Sequence, residues 1–340
     1  MTKKILILNN IGSPDSPSPE DVGHYLQRFL MDKEVIPLPW PLRWFLVNVL
    51  IVPKRKQASA EKYHKIWTEE GSPLTVWTEK LRQKWSSQAG PEWVIETGMK
   101  FGSPTLEELF RRYQQEQKNH PEQTYEFVLF PMYPQYAEAT TGSAHRKAQR
   151  WMRELGLRGN LKSVAPFYDQ NSFLSVSVEK IRKTLSPQDY VLFSYHGLPE
   201  QQIKKKSGCL ATANCCLQPE ACAKGCYRAQ CFKTTELMVQ RLGLADHQYS
   251  SSFQSRLGRA KWIGPSTDDE MKRLVANGVK SLKVVCPSFV SDCLETLEEI
   301  GIGLREDFFK EGGSSFELIP CVNDDWDFPK EELKILDLPL

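Results

Sequence analysis

Short apolar, β-branched runs alternate with amphipathic stretches along almost the whole chain. The runs "ILIL" (5–8), "VIETGM" (94–99), "EFVLFP" (126–131), "LKSVAP" (161–166), "YVLFSY" (190–195), "YSSSFQ" (249–254), "LKVVCP" (282–287) and "FELIP" (316–320) have the length and composition of strands. Between them, apolar residues at three- and four-residue spacing predict helices over 105–118, 139–155, 171–184, 266–278 and 291–300. Alternation of this kind predicts an α/β protein in which helices cover both faces of a parallel sheet. The pattern occurs twice, so two similar doubly wound, Rossmann-like domains are expected, each around a parallel four-stranded sheet. The first is expected over residues 1–155, completed by a C-terminal helix over 325–340. The second is expected over 156–324.

Ligands of such folds bind beyond the carboxyl ends of the strands. The loops there are rich in Gly, Pro, Ser and Tyr: "NNIGSPDSP", "PMYPQYAEATTGS", "SYHGLPE" and "CPSFVSDCLETLEE". None contains GxGxxG or a P-loop, so no nucleotide cofactor is expected. Charge adds a second exclusion. The formal net charge is +2, with no basic block beyond Lys54–Lys56 and Lys204–Lys206, which argues against nucleic acid as a partner. The opening "MTKKILILNN" has too short an apolar run for a secretory signal and reads as a strand, so a cytoplasmic protein is expected.

Residues 38–53, "LPWPLRWFLVNVLIVP", are the most apolar stretch, yet their prolines and Arg43 leave them short of a membrane-spanning helix. Two readings stand. One is a buried helix. The other is an apolar lip whose Trp40, Trp44 and Phe45 meet a greasy ligand or, peripherally, the inner face of a membrane. The residues do not fix an oligomeric state, and a monomer is the expectation.

Two loops carry candidate chemistry. His196 stands at the mouth of a strand that Gly197 and Pro199 end sharply, where an imidazole can act as a base or a metal ligand. The bland alternative is a histidine satisfied by neighbouring backbone. In the second loop, Ser291 or Asp292 can cap a helix that carries Glu295, Glu298 and Glu299. Glu295 and Glu299 share one face. Acidic residues in a first turn also complement the helix dipole, which requires no function.

At this point the chain resembles the ferrochelatases, enzymes that insert ferrous iron into a porphyrin to make haem. The matching segments run in order: "ILNNIGSPDSPSPEDVGHYLQRFLMD" (7–32), "YHKIWTEEGSPL" (63–74), "GMKFGSPTLEEL" (98–109), "FPMYPQYAEATTGS" (130–143), "FSYHGLPE" (193–200), "FQSRLGRAKWIGPSTDDEM" (253–271), "CPSFVSDCLETLEEI" (286–300) and "FELIPCVND" (316–324). The resemblance implies the class II chelatase fold, with porphyrin and Fe²⁺ as substrates; the porphyrin is protoporphyrin IX or coproporphyrin III. It implies His196 and Glu295 on opposite walls of a porphyrin cleft between the two halves, with Glu299 relaying protons or iron. It places Tyr133, Tyr136 and Trp262 near the porphyrin plane, and Asn10, Gly12, Ser13 and Ser72 along the cleft. It also favours the lip reading of 38–53. Many ferrochelatases have His two residues before the catalytic glutamate; Cys293 stands there in this chain, which excludes a role for a second histidine. Two other readings stay open: a chelatase that inserts cobalt or nickel into another tetrapyrrole, and a non-catalytic porphyrin or haem carrier with an iron–sulfur sensor.

Within an expanded connector over 205–231, six of the chain's nine cysteines lie in "CLATANCCLQPEACAKGCYRAQC" (209–231). Thiols stay reduced in the cytosol, so metal binding is the default reading rather than disulfides. Zinc usually takes paired C-x₂₋₄-C knuckles; the spacing here, C-x₅-CC-x₅-C-x₃-C-x₄-C, contains no C-x₂-C knuckle. A [2Fe–2S] cluster tolerates other spacings. The resemblance points the same way, to ferrochelatases with an internal cysteine-rich cluster segment. The expected ligands are Cys209, Cys216, Cys226 and Cys231, with Cys215 and Cys222 in reserve; zinc and free thiols are the alternatives. Cys286, Cys293 and Cys321 read as small buried or cleft residues.

Overall fold

A computed structural model describes residues 2–207, 215–217, 225–256 and 260–337. The chain forms two compact units. Unit 1 comprises residues 1–132, 138–165 and 327–340. It runs through β1 (Thr2–Asn9), α1 (Pro19–Leu30), α2 (Trp40–Phe45), α3 (Val52–Ile66), α4 (Pro73–Gln88), β2 (Trp93–Thr97), α5 (Leu106–Asn119), β3 (Thr124–Pro131), α6 (Ser143–Glu154) and β4 (Gly159–Val164). The strands lie in the order β2-β1-β3-β4, all parallel, and Ile335–Asp337 adds an antiparallel fifth strand beside β4.

β1 is central, and Ile5 to Leu8 are fully buried, which is why this strand reads as a continuous apolar run without alternation. The helix starts are set locally. Ser18 Oγ accepts the Asp21 N–H at 3.1 Å at the start of α1, with Pro19 in its first turn. Thr105 and Glu108 form a reciprocal capping box on α5, at 3.1 and 2.7 Å.

Unit 2 comprises residues 133–137 and 166–326. It contains α7 (Asn171–Thr184), β5 (Tyr190–His196), α8 (Glu200–Ser207), α9 (Tyr227–Leu242), β6 (Tyr249–Gln254), α10 (Thr267–Ala276), β7 (Ser281–Val285), α11 (Arg305–Lys310) and β8 (Ser315–Leu318). Its four strands are all parallel, in the order β6-β5-β7-β8. Leu192, Met271, Leu274, Leu282, Val284 and Phe308 form the core on one face. Tyr133–Ala137 joins this unit although its neighbours in sequence do not. Gln135 Nε2 donates to Thr234 Oγ1 (3.1 Å) and to the Pro287 carbonyl (3.2 Å), and the Tyr136 N–H donates to Gln230 Oε1 (2.6 Å).

Several expectations change. The first sheet has five strands rather than four, and the boundary falls after Ala165 rather than after 155, because β4 pairs with β3 from Tyr125↔Gly159 onwards. The C-terminal segment does return to unit 1, but not as the helix expected over 325–340. Pro329 interrupts it, and its short apolar stretch pairs with the open edge of β4 through Lys162↔Asp337. The 38–53 stretch is not a buried helix. α2 runs into a π-helical turn, Leu46–Ile51, and exposes Trp40 (62%), Leu42 (60%) and Phe45 (52%). Among the described residues no helix is long and apolar enough to cross a membrane.

The loop after β1 packs tightly on residues 98–102: the Lys100 and Phe101 N–H groups donate to the Asn10 and Ile11 carbonyls at 2.8 and 3.0 Å. Gly12 sits there at φ +89°, and a Cβ would lie 2.4 Å from Gly102 N. Gly12→Ala is therefore expected to cost more than about 1 kcal/mol in urea unfolding. An unchanged midpoint would mean that this close approach does not contribute.

Candidate active site

The carboxyl end of the unit 2 sheet gathers the titratable groups. His196 is the last residue of β5. The backbone closes in directly behind it: a Cβ on Gly197 would lie 2.7 Å from the Gln254 carbonyl oxygen and 3.2 Å from the Trp262 ring. His196 Nδ1 lies 2.6 Å from the Gly197 carbonyl oxygen, which can only accept, so Nδ1 bears the proton and the neutral ring keeps its lone pair on Nε2. The backbone of His196 is held from both sides. Its N–H donates to Ser288 Oγ at 3.0 Å, and its carbonyl accepts from Tyr227 Oη at 2.7 Å. Burial pushes the imidazole below its ordinary value of 6.5, against the Glu295 charge and the Gly197 carbonyl, which both act to raise it.

Glu295 opens a π-helical segment, Glu295–Leu304, after β7. Such segments are rare and concentrate at functional sites. A buried polar knot anchors its start. Asp292 Oδ1 accepts from Thr296 Oγ1 (3.0 Å) and the Cys321 N–H (3.3 Å), while Asp292 Oδ2 accepts from Asn323 Nδ2 (2.7 Å). The Cys293 thiol contacts the Glu295 carboxylate, and burial together with that charge holds it well above the ordinary thiol value. Glu299, one turn on, accepts from Ser255 Oγ at 2.5 Å.

His196, at the end of β5, and Glu295, in the segment that follows the neighbouring β7, belong to one unit, and the Glu295 charge acts on the imidazole. Tyr133 lies beside them. Its hydroxyl is buried without a hydrogen-bond partner among the described residues, and burial plus the Glu295 charge raises its pKa. Trp262 pairs with Pro199 in an isolated bridge, on the same turn as Gly197. Tyr136 is held by Gln230 through its backbone. Asn10, Gly12, Ser13 and Ser72 form a separate group in unit 1, where Ser13 Oγ and Ser72 Oγ lie 2.6 Å apart.

Sequence reasoning missed Gln254. Its backbone carbonyl accepts the Gly197 N–H at 2.8 Å, its Nε2 donates to the Glu295 carbonyl at 2.8 Å, and its Oε1 accepts from Ser194 Oγ at 2.7 Å. One buried amide therefore fixes both functional segments. The available signal was a glutamine in the final, buried position of an otherwise ordinary strand. Ser288 and Tyr227 were also missed, because a serine in a loop and an aromatic at a helix start carry no distinctive pattern.

Cys209 and Cys222 lie outside the described residues. Cys215, Cys216, Cys226 and Cys231 are buried. The Cys215 and Cys216 sulfurs are 3.8 Å apart, and Arg228 Nη1 donates to Cys216 Sγ at 3.3 Å. Contact with Cys226, and then Arg228, lowers Cys216 to about 5 against the opposing effect of burial, so it is a thiolate at neutral pH. Cys231 lies against the Tyr227 hydroxyl, and burial raises its thiol well above the ordinary value. Among the described residues no three His, Cys, Asp or Glu side chains converge as a metal site.

The ferrochelatase family model matches residues 3–331. A ferrochelatase of Bdellovibrio bacteriovorus is 46% identical over 326 residues, covering 95% of this chain and 96% of that protein. One from Pseudomonas syringae pv. syringae is 43% identical over 341 residues, covering 97% and 96%. One from Pseudomonas aeruginosa is 43% identical over 330 residues, covering 95% and 94%.

The electrostatics of the pair can be tested directly. NMR titration of the His196 ring should give a midpoint below 6.5, and Glu295→Gln should lower it further, because the lost carboxylate favoured the imidazolium. An upward shift in the variant would contradict this balance. The sign also bears on stability. The folded value lies below the unfolded one, so this group's contribution is full above the unfolded value and declines as pH falls through that window.

Proposed function

The chain belongs to the ferrochelatase family, which inserts ferrous iron into a porphyrin, and on that premise we propose how its residues carry out the reaction. Insertion exchanges two pyrrole N–H protons for Fe²⁺, so the site must accept protons and hold a partly dehydrated cation beside the ring. His196 and Glu295 serve these needs. With Nδ1–H committed to the Gly197 carbonyl, His196 Nε2 is the free base that takes a pyrrole proton. Glu295 offers carboxylate oxygen to the incoming Fe²⁺, a metal that accepts both oxygen and imidazole nitrogen. Glu299 and Ser255 pass protons onward from Glu295 along the π-helical face.

The observation that carries this reading is the fixed tautomer of His196, with the Glu295 charge acting on the same ring. Tyr133 supports it, since a buried hydroxyl with no protein partner beside Glu295 suits a group that bonds to substrate or to a displaced iron ligand. Trp262 and Tyr136 are assigned to the porphyrin faces. Asn10, Gly12, Ser13 and Ser72 are the unit 1 candidates for substrate contact. The substrate is protoporphyrin IX or coproporphyrin III, and the exposed rings of α2 suit its passage and a peripheral membrane contact at the cytoplasmic face. The enzyme is assigned as a monomer.

The cysteine segment is proposed to hold a [2Fe–2S] cluster on Cys209, Cys216, Cys226 and Cys231, with Cys215 and Cys222 in reserve. The donor set fits in part. Cys216 is a thiolate in contact with Cys226, and Arg228 offsets its charge, whereas the Cys231 thiol is shared with Tyr227. A bound cluster would supply a one-electron centre. Its residues are joined to the catalytic loop: Tyr227 holds the His196 carbonyl, and Arg228 Nη2 donates to the Gly264 carbonyl (3.2 Å), two residues after Trp262.

His196→Ala and Glu295→Gln should each slow Fe²⁺ insertion by at least about 10²-fold, followed anaerobically by the loss of free-porphyrin fluorescence. Near-normal turnover in either variant, with its fold intact by circular dichroism, would sink the assignment. The acid limb of kcat/KM should lie below pH 6.5, following the depressed imidazole. Protein purified without air should be coloured and contain equal amounts of iron and sulfide. A colourless protein with one zinc would overturn the cluster while leaving iron insertion intact.

A further inference from the structure

Unit 1 contains a second polar site, formed by the C-terminal end of α1, the loop into α2, α2 itself and α6. It is a cavity of about 510 Å³ lined by seven arginines and lysines and only two carboxylates, Asp32 and Glu34. Both carboxylates are already engaged. Asp32 lies 3.3 Å from the buried Lys100 and 3.8 Å from Lys147, and Glu34 lies 2.9 Å from Arg146. Arg28, Lys33, Arg43 and Arg153 have no carboxylate partner among the described residues.

Arg43 is the decisive residue. It is 8% exposed and, among the described residues, donates to the Ile36 and Leu38 carbonyls at 3.2 and 2.9 Å, while its buried Nε finds no hydrogen-bond partner. A buried guanidinium without a counter-ion is costly unless a ligand supplies the charge. Lys147 reports the same excess. Burial first, and then the like charges of Lys100 and Arg150, lower it to about 8 against the pull of Asp32.

The groove of about 890 Å³ beside α7 in unit 2 makes a useful contrast. Its Lys180 is paired with Asp325 at 2.7 Å and its Arg182 with Glu179 at 3.4 Å, so less of its charge is left over.

We propose that the unit 1 cavity binds a compact phosphate-bearing anion. The guanidinium groups of Arg28, Arg43 and Arg153 match phosphate oxygens, whereas Arg146 is shared with Glu34 and Glu138 and Arg150 lies 3.7 Å from Glu154; the lining contains no aromatic ring to take a base or a porphyrin. Arg43 also belongs to α2, whose Trp40, Leu42 and Phe45 are exposed. A helix that turns apolar side chains to solvent and Arg43 inward to the cavity suits the phosphate of an anionic lipid headgroup, and the same chemistry would accept a free phosphate compound.

Isothermal titration with inorganic pyrophosphate tests the site. Wild-type protein should bind with an affinity that falls as salt is raised. The double variant Arg150→Gln/Arg153→Gln changes two side chains at exposed positions, so its thermal midpoint and iron insertion should match wild type. It should bind about 30-fold more weakly, from the ordinary effect of a basic residue near an anionic surface. Sedimentation with phosphatidylglycerol and phosphatidylcholine vesicles identifies the source. Selective capture on phosphatidylglycerol, displaced by pyrophosphate, assigns a lipid headgroup; pyrophosphate binding without that preference assigns a free phosphate compound. No pyrophosphate binding by wild type, or equal binding by the double variant, would overturn the site.

Discussion

The chemistry of unit 2 depends on one buried amide. Gln254, at the end of β6, bonds to the turn after His196, to the backbone of Glu295 and to Ser194 within β5. Parallel strands bring three chain ends to one edge, but the sheet alone does not fix how the loops beyond that edge are aimed. The amide supplies a donor and an acceptor in a fixed plane, and its backbone carbonyl adds a third contact. It sets the position of an imidazole and a carboxylate that lie 99 residues apart in sequence.

Around this anchor, the groups are kept in useful protonation states by simple means. Burial disfavours the imidazolium of His196, while the Glu295 charge limits that depression. The tautomer is set by a backbone carbonyl rather than by a third titratable side chain, so proton uptake at Nε2 need not disturb another acid. Cys293, in the place of a second histidine, remains a protonated thiol beside Glu295. The buried knot of Asp292, Thr296 and Asn323 holds the start of the π-helix without using the Glu295 or Glu299 carboxylates.

The two groupings away from His196 and Glu295 follow the same logic of charge compensation. In the cysteine segment, a thiolate finds Arg228 and a neighbouring thiol, and the same arginine reaches the loop of Trp262. In unit 1, the positive groups exceed the carboxylates that face them. The first arrangement is nearly balanced within the protein; the second is left for a ligand to balance.

The sequence by itself determined the α/β class, the eight principal strands, and the two loops that carry His196 and Glu295. Those features are encoded in windows of a few residues: apolar runs of strand length, a Gly-Leu-Pro stop, acidic residues at helical spacing. The fifth strand of the first sheet and the boundary after Ala165 were decided by pairing, because an edge strand is defined by the free edge it meets. The shared role of Gln254, the tautomer of His196 and the buried Arg43 were likewise set only by the tertiary structure. Each depends on partners that folding brings together, or on a backbone angle that no local pattern records, and a glutamine, a histidine or an arginine looks the same in sequence whether or not its partner is present.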